Sequence, residues 1–239
     1  MLSLFIFLNL LQQPSFKEKQ LQYARVKVAY QEKEHLVKTY FKKSNFQYEG
    51  FHVFMRAFKK EELLEIWVKE KNKSTYALLT TYAFCASSGT PGPKRREGDL
   101  QIPEGIYHIV HFNPASNFFL SLGISYPNAS DKVLSDKEAP GSAIYIHGNC
   151  VTIGCIPITD DKIKELYILA VEARNNGQTK IPIHIFPDRL TNESLLSLAN
   201  TFARHAEFWK NLQPIYFDFE QTHKLKSISI DAKGNYRLE

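Results

Sequence analysis

With 239 residues, 44% of them hydrophobic and 23% charged, the chain suits one core domain with helical additions and is too apolar for wholesale disorder. Its net charge of +5 is spread along the sequence with no arginine-rich block, so nucleic acid is not an expected partner. Three cysteines, Cys85, Cys150 and Cys155, argue against a disulfide-stapled scaffold and leave at least one thiol outside intramolecular pairing.

Met1 to Leu11 is an apolar run too short to span a bilayer and of the length of a signal-peptide h-region. No basic stretch precedes it and no small-x-small cleavage site follows before Pro14; an upstream start or an uncleaved anchor accounts for both, and an amphipathic first helix is the competing reading. Residues 1–14 are thus the one expected link to a membrane. Lys17 to Lys43 is polar with spaced apolar residues such as Leu21, Val28 and Leu36, which predicts a surface helix or pair of helices within a helical segment over 15–49.

From Phe51 the pattern turns to short strands: Phe51 to Phe58, a turn at Lys59-Lys60-Glu61-Glu62, an alternating run around Leu64, Ile66 and Val68, then Tyr76 to Phe84, Ile106 to Phe112, Phe118 to Ile124, Ala143 to His147 and Ile181 to Phe186. One helix interrupts them, capped by Thr159, with Asp160 and Asp161 at its positive end and Gly177 as its stop. A second helix is predicted over Asn192 to Asn211, before Pro214, and a hairpin around Lys233-Gly234-Asn235 ends the chain. There is no internal repeat. The class expected is α+β: a mainly β core of mixed, sandwich-like sheets over 50–190, flanked by helices at both ends, with a helix and hairpin extension over 191–239.

The segment richest in chemistry runs from Ile144 to Pro157: a strand ending in His147-Gly148, then Thr152-Ile153-Gly154-Cys155. A cysteine nucleophile needs a base to generate thiolate and backbone N–H donors for the oxyanion on the attacked carbonyl. His147 is the candidate base and Cys155 the candidate nucleophile. The amides of Gly154 and Cys155 are candidate oxyanion donors, Gly148 is a turn or further oxyanion position, and Thr152 is a supporting residue. The bland readings are a buried structural thiol at Cys155, a strand-ending histidine at His147, and plain packing at Thr152. Cys150 can pair with Cys155, pack in the core or act as a second thiol; packing is preferred. A zinc site from His147, Cys150 and Cys155 lacks C-x-x-C spacing, and Asn149 stands where a zinc deaminase needs glutamate, so no metal is assigned. His108 and His111 sit at odd spacing on one strand and receive no catalytic role.

His147-Gly148 followed by Thr152-Ile153-Gly154-Cys155 resembles the H-G-x(n)-[S/T]-x-G-C signature of YkuD-type L,D-transpeptidase catalytic domains. Gly98-Asp99-Leu100-Gln101-Ile102-Pro103-Glu104-Gly105-Ile106-Tyr107 is similar to the family's G-D-x-x-T-P-E-G-x-Y motif, and Phe112-Asn113-Pro114 with Tyr126-Pro127-Asn128 resembles its YafK-like branch. The resemblance implies a cofactor-free acyl transfer in the periplasm or cell envelope: the Cys155 thiolate attacks the third residue of a peptidoglycan stem and His147 relays the proton. Alternatives are hydrolysis of stem-peptide or protein-to-peptidoglycan links at the same site, with a peptidoglycan-linked envelope protein as partner, and a non-catalytic peptidoglycan-binding module. Many members carry arginine two positions after the cysteine, where this chain has Pro157. The substitutes proposed for holding a substrate carboxylate are Arg95, then Arg96 and Lys94, on a loop expected to be exposed and mobile, with Asn113 as a further substrate-binding candidate; a solvated charge run is the bland reading there.

Overall fold

The computed structural model describes residues 13–239; residues 1–12 of the expected signal or anchor segment lie outside them. The predicted N-terminal helical stretch is two helices, α1 (Phe16–Gln20), opened by a Ser15–Glu18 capping box, and α2 (Ala24–Lys43). Among the described residues no helix is long and apolar enough to cross a membrane.

Eight strands form one mixed sheet: β1 (Phe51–Phe58), β2 (Leu63–Glu70), β3 (Ala77–Ala83), β4 (Gly105–Asn113), β5 (Ser121–Ile124), β6 (Tyr145–His147), β7 (Ile156–Pro157) and β8 (Ile181–Phe186). Their spatial order is β3-β2-β1-β8-β4-β5-β6-β7, antiparallel except for the β1–β8 and β6–β7 pairs. The α+β class with mixed pairing is as expected. β1 shows why its sequence is apolar almost throughout, since both faces are covered. Val53, Met55 and Ala57 face a core shared with α2 and with α4 (Asp160–Asn175), while Phe54 and Phe58 pack on the opposite side. Each of the larger of these side chains, Val53, Met55, Phe54 and Phe58, stabilises by about 1.5–3 kcal/mol.

That opposite side is covered by α5 (Asn192–Thr201) and α6 (Ala206–Thr222). The single helix predicted over Asn192 to Asn211 is therefore corrected: the chain breaks at Phe202, and α6 continues through Pro214. The break lets Leu195 and Leu198 on one helix and Trp209, Leu212, Ile215 and Tyr216 on the next all reach the sheet, and this packing outweighs the roughly 3 kcal/mol that an internal proline costs. Arg56, alone charged on the inner stretch of β1, points to this side. Its Nη2 donates to Glu65 at 2.7 Å and its Nη1 to Glu220 of α6 at 2.5 Å, so an ion pair fixes α6 to the sheet. A short helix absent from the sequence reading, α3 (Ala129–Leu134), is opened by an Asn128–Asp131 capping box; the terminal hairpin forms as expected from β9 (Ile228–Ile230) and β10 (Tyr236–Leu238).

The sheet curls until its edges meet. Just beyond β3, the Cys85 N–H donates to the Pro157 carbonyl of β7, the opposite edge strand, at 3.0 Å. Cys85 and Cys150 form a disulfide there, with Cα atoms 5.2 Å apart. This corrects the preference for Cys150 as plain packing, and the thiol left outside intramolecular pairing is Cys155. The partners are 65 positions apart and only sheet closure brings them together.

Two predictions follow from this architecture. The double variant Cys85→Ala, Cys150→Ala should be about 2–4 kcal/mol less stable in urea denaturation, and dithiothreitol should shift the wild-type midpoint likewise; a midpoint indifferent to reductant would show the pair is not formed. Burial, aided by the Arg56 charge, holds His184 of β8 down at about 3. The unfolded chain, with histidine near about 6.5, takes up the proton first, so this stability is complete above about pH 6.5 and is lost toward pH 3, at up to about 1.4 kcal/mol per pH unit. His184→Leu should flatten that slope in urea denaturation at stepped pH.

Candidate active site

Cross-strand register sets the site. Asn113, Ser121, His147 and Pro157 are successive partners on β4, β5, β6 and β7, which places them at one level across the sheet edge. Ile146 and Ile156 face the helical core, so alternation sends His147 and Cys155 to the other face. Cys155 lies one strand across and two residues back from His147, about 8 Å between Cα atoms by strand geometry.

His147 is 1% exposed, and its ring stacks on Phe118 with centroids 4.4 Å apart. Its Nδ1 lies 2.5 Å from the Gly148 carbonyl. A carbonyl only accepts, so Nδ1 carries the hydrogen and Nε2 is left with a lone pair, the tautomer a general base requires. Burial pushes the imidazole below its ordinary value, against the pull of the Gly148 bond. Cys155 is half-buried, its Sγ 3.9 Å from the Ala143 carbonyl. Burial pushes this thiol up, opposed by the Tyr145 backbone and the positive charge of Lys94. The resting pair is thus a neutral thiol and a neutral imidazole.

The loop between them is tightly specified. Gly154 has φ +136°, and a Cβ there would stand 3.0 Å from the Gln101 carbonyl. A Cβ at Gly148 would collide with Asp160 Oδ1 and lie 2.8 Å from the Phe118 carbonyl. Thr152 Oγ1 donates to the Cys155 carbonyl at 2.8 Å and accepts from the Gly154 N–H at 3.1 Å. Of the two candidate oxyanion amides, Gly154's is therefore engaged within the loop. Val151 and Ile153, the latter 78% exposed, give the loop an apolar rim.

The basic loop differs from expectation. Lys94 is 4% exposed and its Nζ donates to Asp99 at 2.7 Å; the Asp99 carboxylate also accepts from the Arg95, Arg96 and Gln101 amides. The loop is braced rather than mobile. Arg95 pairs with buried Asp131 at 3.3 Å and lies over the Phe208 ring of α6, so its guanidinium already has a counter-ion; only Arg96 is exposed. Asn113 accepts from the Ala115 N–H in a turn. The motif residues Asp99 and Glu104 serve as braces: buried Glu104 takes Lys59 Nζ at 3.0 Å, the Gly92 N–H and Trp209 Nε1–H. Cys150, weighed as a metal ligand, is consumed by its disulfide. Phe118 and the Gly148 carbonyl, both in contact with His147, escaped the sequence reading, because loop-to-strand contacts leave no periodic signal.

Residues 56–183 match the family model described as the L,D-transpeptidase catalytic domain, YkuD. An Escherichia coli (strain K12) protein named "Putative L,D-transpeptidase YafK" is 34% identical over 189 residues, covering 78% of this chain and 74% of that protein. Among solved structures, the helical cell shape determining protein Pgp2 from Campylobacter jejuni overlaps at a TM-score of 0.46 with 16% identity, over 82% of this chain and 80% of that one. L,D-transpeptidase 1 of Mycobacterium tuberculosis overlaps at a TM-score of 0.30 with 12% identity, over 57% of this chain and 62% of that one. The structural overlaps are loose, but the sequence match takes in more than half the chain and spans both His147 and Cys155; the protein belongs to the L,D-transpeptidase catalytic domain family.

Proposed function

We propose that the protein is a cysteine acyl-transfer enzyme of the cell envelope acting on peptidoglycan stem peptides. The observation that carries this reading is the approach of His147 Nδ1 to the Gly148 carbonyl at 2.5 Å, on the strand paired with the one that follows Cys155; with Nδ1 donating there, Nε2 is left to act as the base. Membership of the family supports the substrate class. The Cys85–Cys150 disulfide supports an exported site of action, because such bonds persist in oxidising compartments.

The chemistry starts from the neutral pair. As substrate approaches, Nε2 takes the thiol proton and the sulfur bonds to the carbonyl carbon of the third stem residue. The oxyanion forms beside the Cys155 N–H. The carbon–nitrogen bond to the departing residue then breaks, its amine receiving the proton from the imidazolium, and a thioester remains on Cys155. An incoming amine gives a new peptide bond; water gives hydrolysis. Both restore the thiol through His147.

Cys155→Ala should abolish turnover and leave stability within about 1 kcal/mol, since a thiol-to-methyl change removes little volume. Mass spectrometry of wild-type protein incubated with tetrapeptide stems should show an acyl adduct on Cys155, and the products separate transfer from hydrolysis; product formed by Cys155→Ala would refute the nucleophile. His147→Gln should lower turnover by about 10²–10⁴. With imidazole held low by burial and thiol held high, kcat/KM should fall on acidification only below the ordinary histidine value of about 6.5. An acidic limb above that value in a stepped-pH assay would contradict the neutral-pair mechanism.

A further inference from the structure

The turn over 116–120 backs the His147–Gly148 corner from two sides. Its Phe118 ring stacks on the imidazole with centroids 4.4 Å apart, and its Leu120 carbonyl accepts the Gly148 N–H at 3.3 Å. Within the turn the Phe118 N–H donates to Ser116 Oγ at 3.1 Å. The next residue, Phe119, has φ +69°, in the left-handed region that bulky side chains rarely enter. Such a conformation persists only where its surroundings hold it. The hold comes from α2. Across a cleft lined also by Asn149 and Asp160, Arg25 Nη1 donates to the carbonyls of Ser116 and Phe119, the latter at 2.8 Å. The guanidinium lies 5.7 Å from the Phe119 ring centroid. One donor nitrogen thus ties together the two ends of the stretch that presents Phe118.

Neither helix stability nor ion pairing accounts for a cation at this position. Arg25 is the second residue of α2, at the positive end of the helix dipole, and that first turn has no acidic residue and no side-chain cap. Arg56, Arg95, Arg189 and Arg237 each have a carboxylate within 4.0 Å, whereas Arg25 has none among the described residues. It also lies outside the 56–183 segment that matches the family model. We propose that Arg25 is a positioning residue for His147: it clamps the 116–119 turn so that Phe118 stays stacked on the imidazole and Nδ1 stays on the Gly148 carbonyl. Without the clamp, Phe119 relaxes out of the left-handed region, Phe118 moves off the ring, and the imidazole turns about its side-chain bonds. The catalytic consequence rests on the reading of His147 as the base; the placement of the ring does not. A displaced base slows proton transfer and leaves substrate binding alone, so the cost falls on kcat and not on KM.

The test follows the ring by NMR and the reaction by turnover of tetrapeptide stems, both on the full-length protein. The Hε1 signal of His147, assigned by its loss in His147→Gln, feels the ring current of Phe118, and Phe118→Ala defines the position it takes without that ring. Arg25→Met keeps the aliphatic stem and the helix but removes the donors. It should move the His147 signal most of the way to the Phe118→Ala position and lower kcat roughly tenfold at unchanged KM, and Arg25→Lys should restore part of both. In the Phe118→Ala background Arg25→Met should add nothing to either readout, because the ring through which it acts is gone. A His147 signal unmoved by Arg25→Met would overturn the proposal, as would effects of the two substitutions that multiply in the double variant. A moved signal in a protein whose wild type forms no acyl adduct would support the clamp while removing the catalytic reading; an adduct with an unmoved signal would remove the clamp alone.

Discussion

The meeting of the two sheet edges at Cys85 and Pro157 is the constraint on which the rest depends. A parallel pair of neighbouring strands ordinarily needs a crossover of a dozen or more residues, yet β6 and β7 are parallel and joined by residues 148–155 alone. Such a short return is possible only if the loop is held from several sides. The Cys85–Cys150 disulfide holds it from the opposite edge, Asp160 from the start of α4 through the Asn149 amide, and Thr152 from within. Gly154 supplies the positive φ at which the chain turns into Cys155, and a Cβ there would press on the Gln101 carbonyl at 3.0 Å.

Both coverings of the sheet bear on that loop. On one face α4 begins directly after β7, so its N-terminal residues are part of the loop's frame, and α2 packs along α4 and carries Arg25 to the neighbouring cleft. On the other face α6 is fixed by Arg56 and Glu220, and its Trp209 donates to Glu104, which is also paired with Lys59. Through Glu104 and Asp99 the segment over 92–104 becomes a rigid wall beside Gly154. Removing one partner of such a buried pair costs roughly 3–5 kcal/mol because the other charge is left desolvated, so these braces specify the wall's position firmly.

The electrostatics of the site follow from its dryness. Desolvation works against charge on both reacting groups, lifting the thiol and lowering the imidazole. Under the proposed mechanism the thiolate would form as the proton moves to His147. Lys94 lies close enough to favour the anion, but its charge is shared with Asp99, so it moderates the desolvation without reversing it.

By itself the sequence determined what is local. The order and approximate bounds of most strands were legible because alternation and β-branched runs repeat every two residues. The Thr159 helix was legible from its cap, its acidic first turn and Gly177, and the His147 to Cys155 segment from residue types brought together by short spacing. The Asn128–Asp131 capping box was equally local and could have announced α3. Tertiary structure decided whatever depends on contacts between distant segments. It paired Cys85 with Cys150 across 65 positions, turned Arg95 toward Asp131 and Phe208, buried Lys94, and carried α6 through Pro214 to complete the packing on the sheet. It also set Phe118 on the His147 ring and Arg25 at the cleft. A charged or thiol side chain gives no sign along the chain of which partner will neutralise or oxidise it. That choice is made by burial and proximity, which exist only once the sheet has curled and its edges have met.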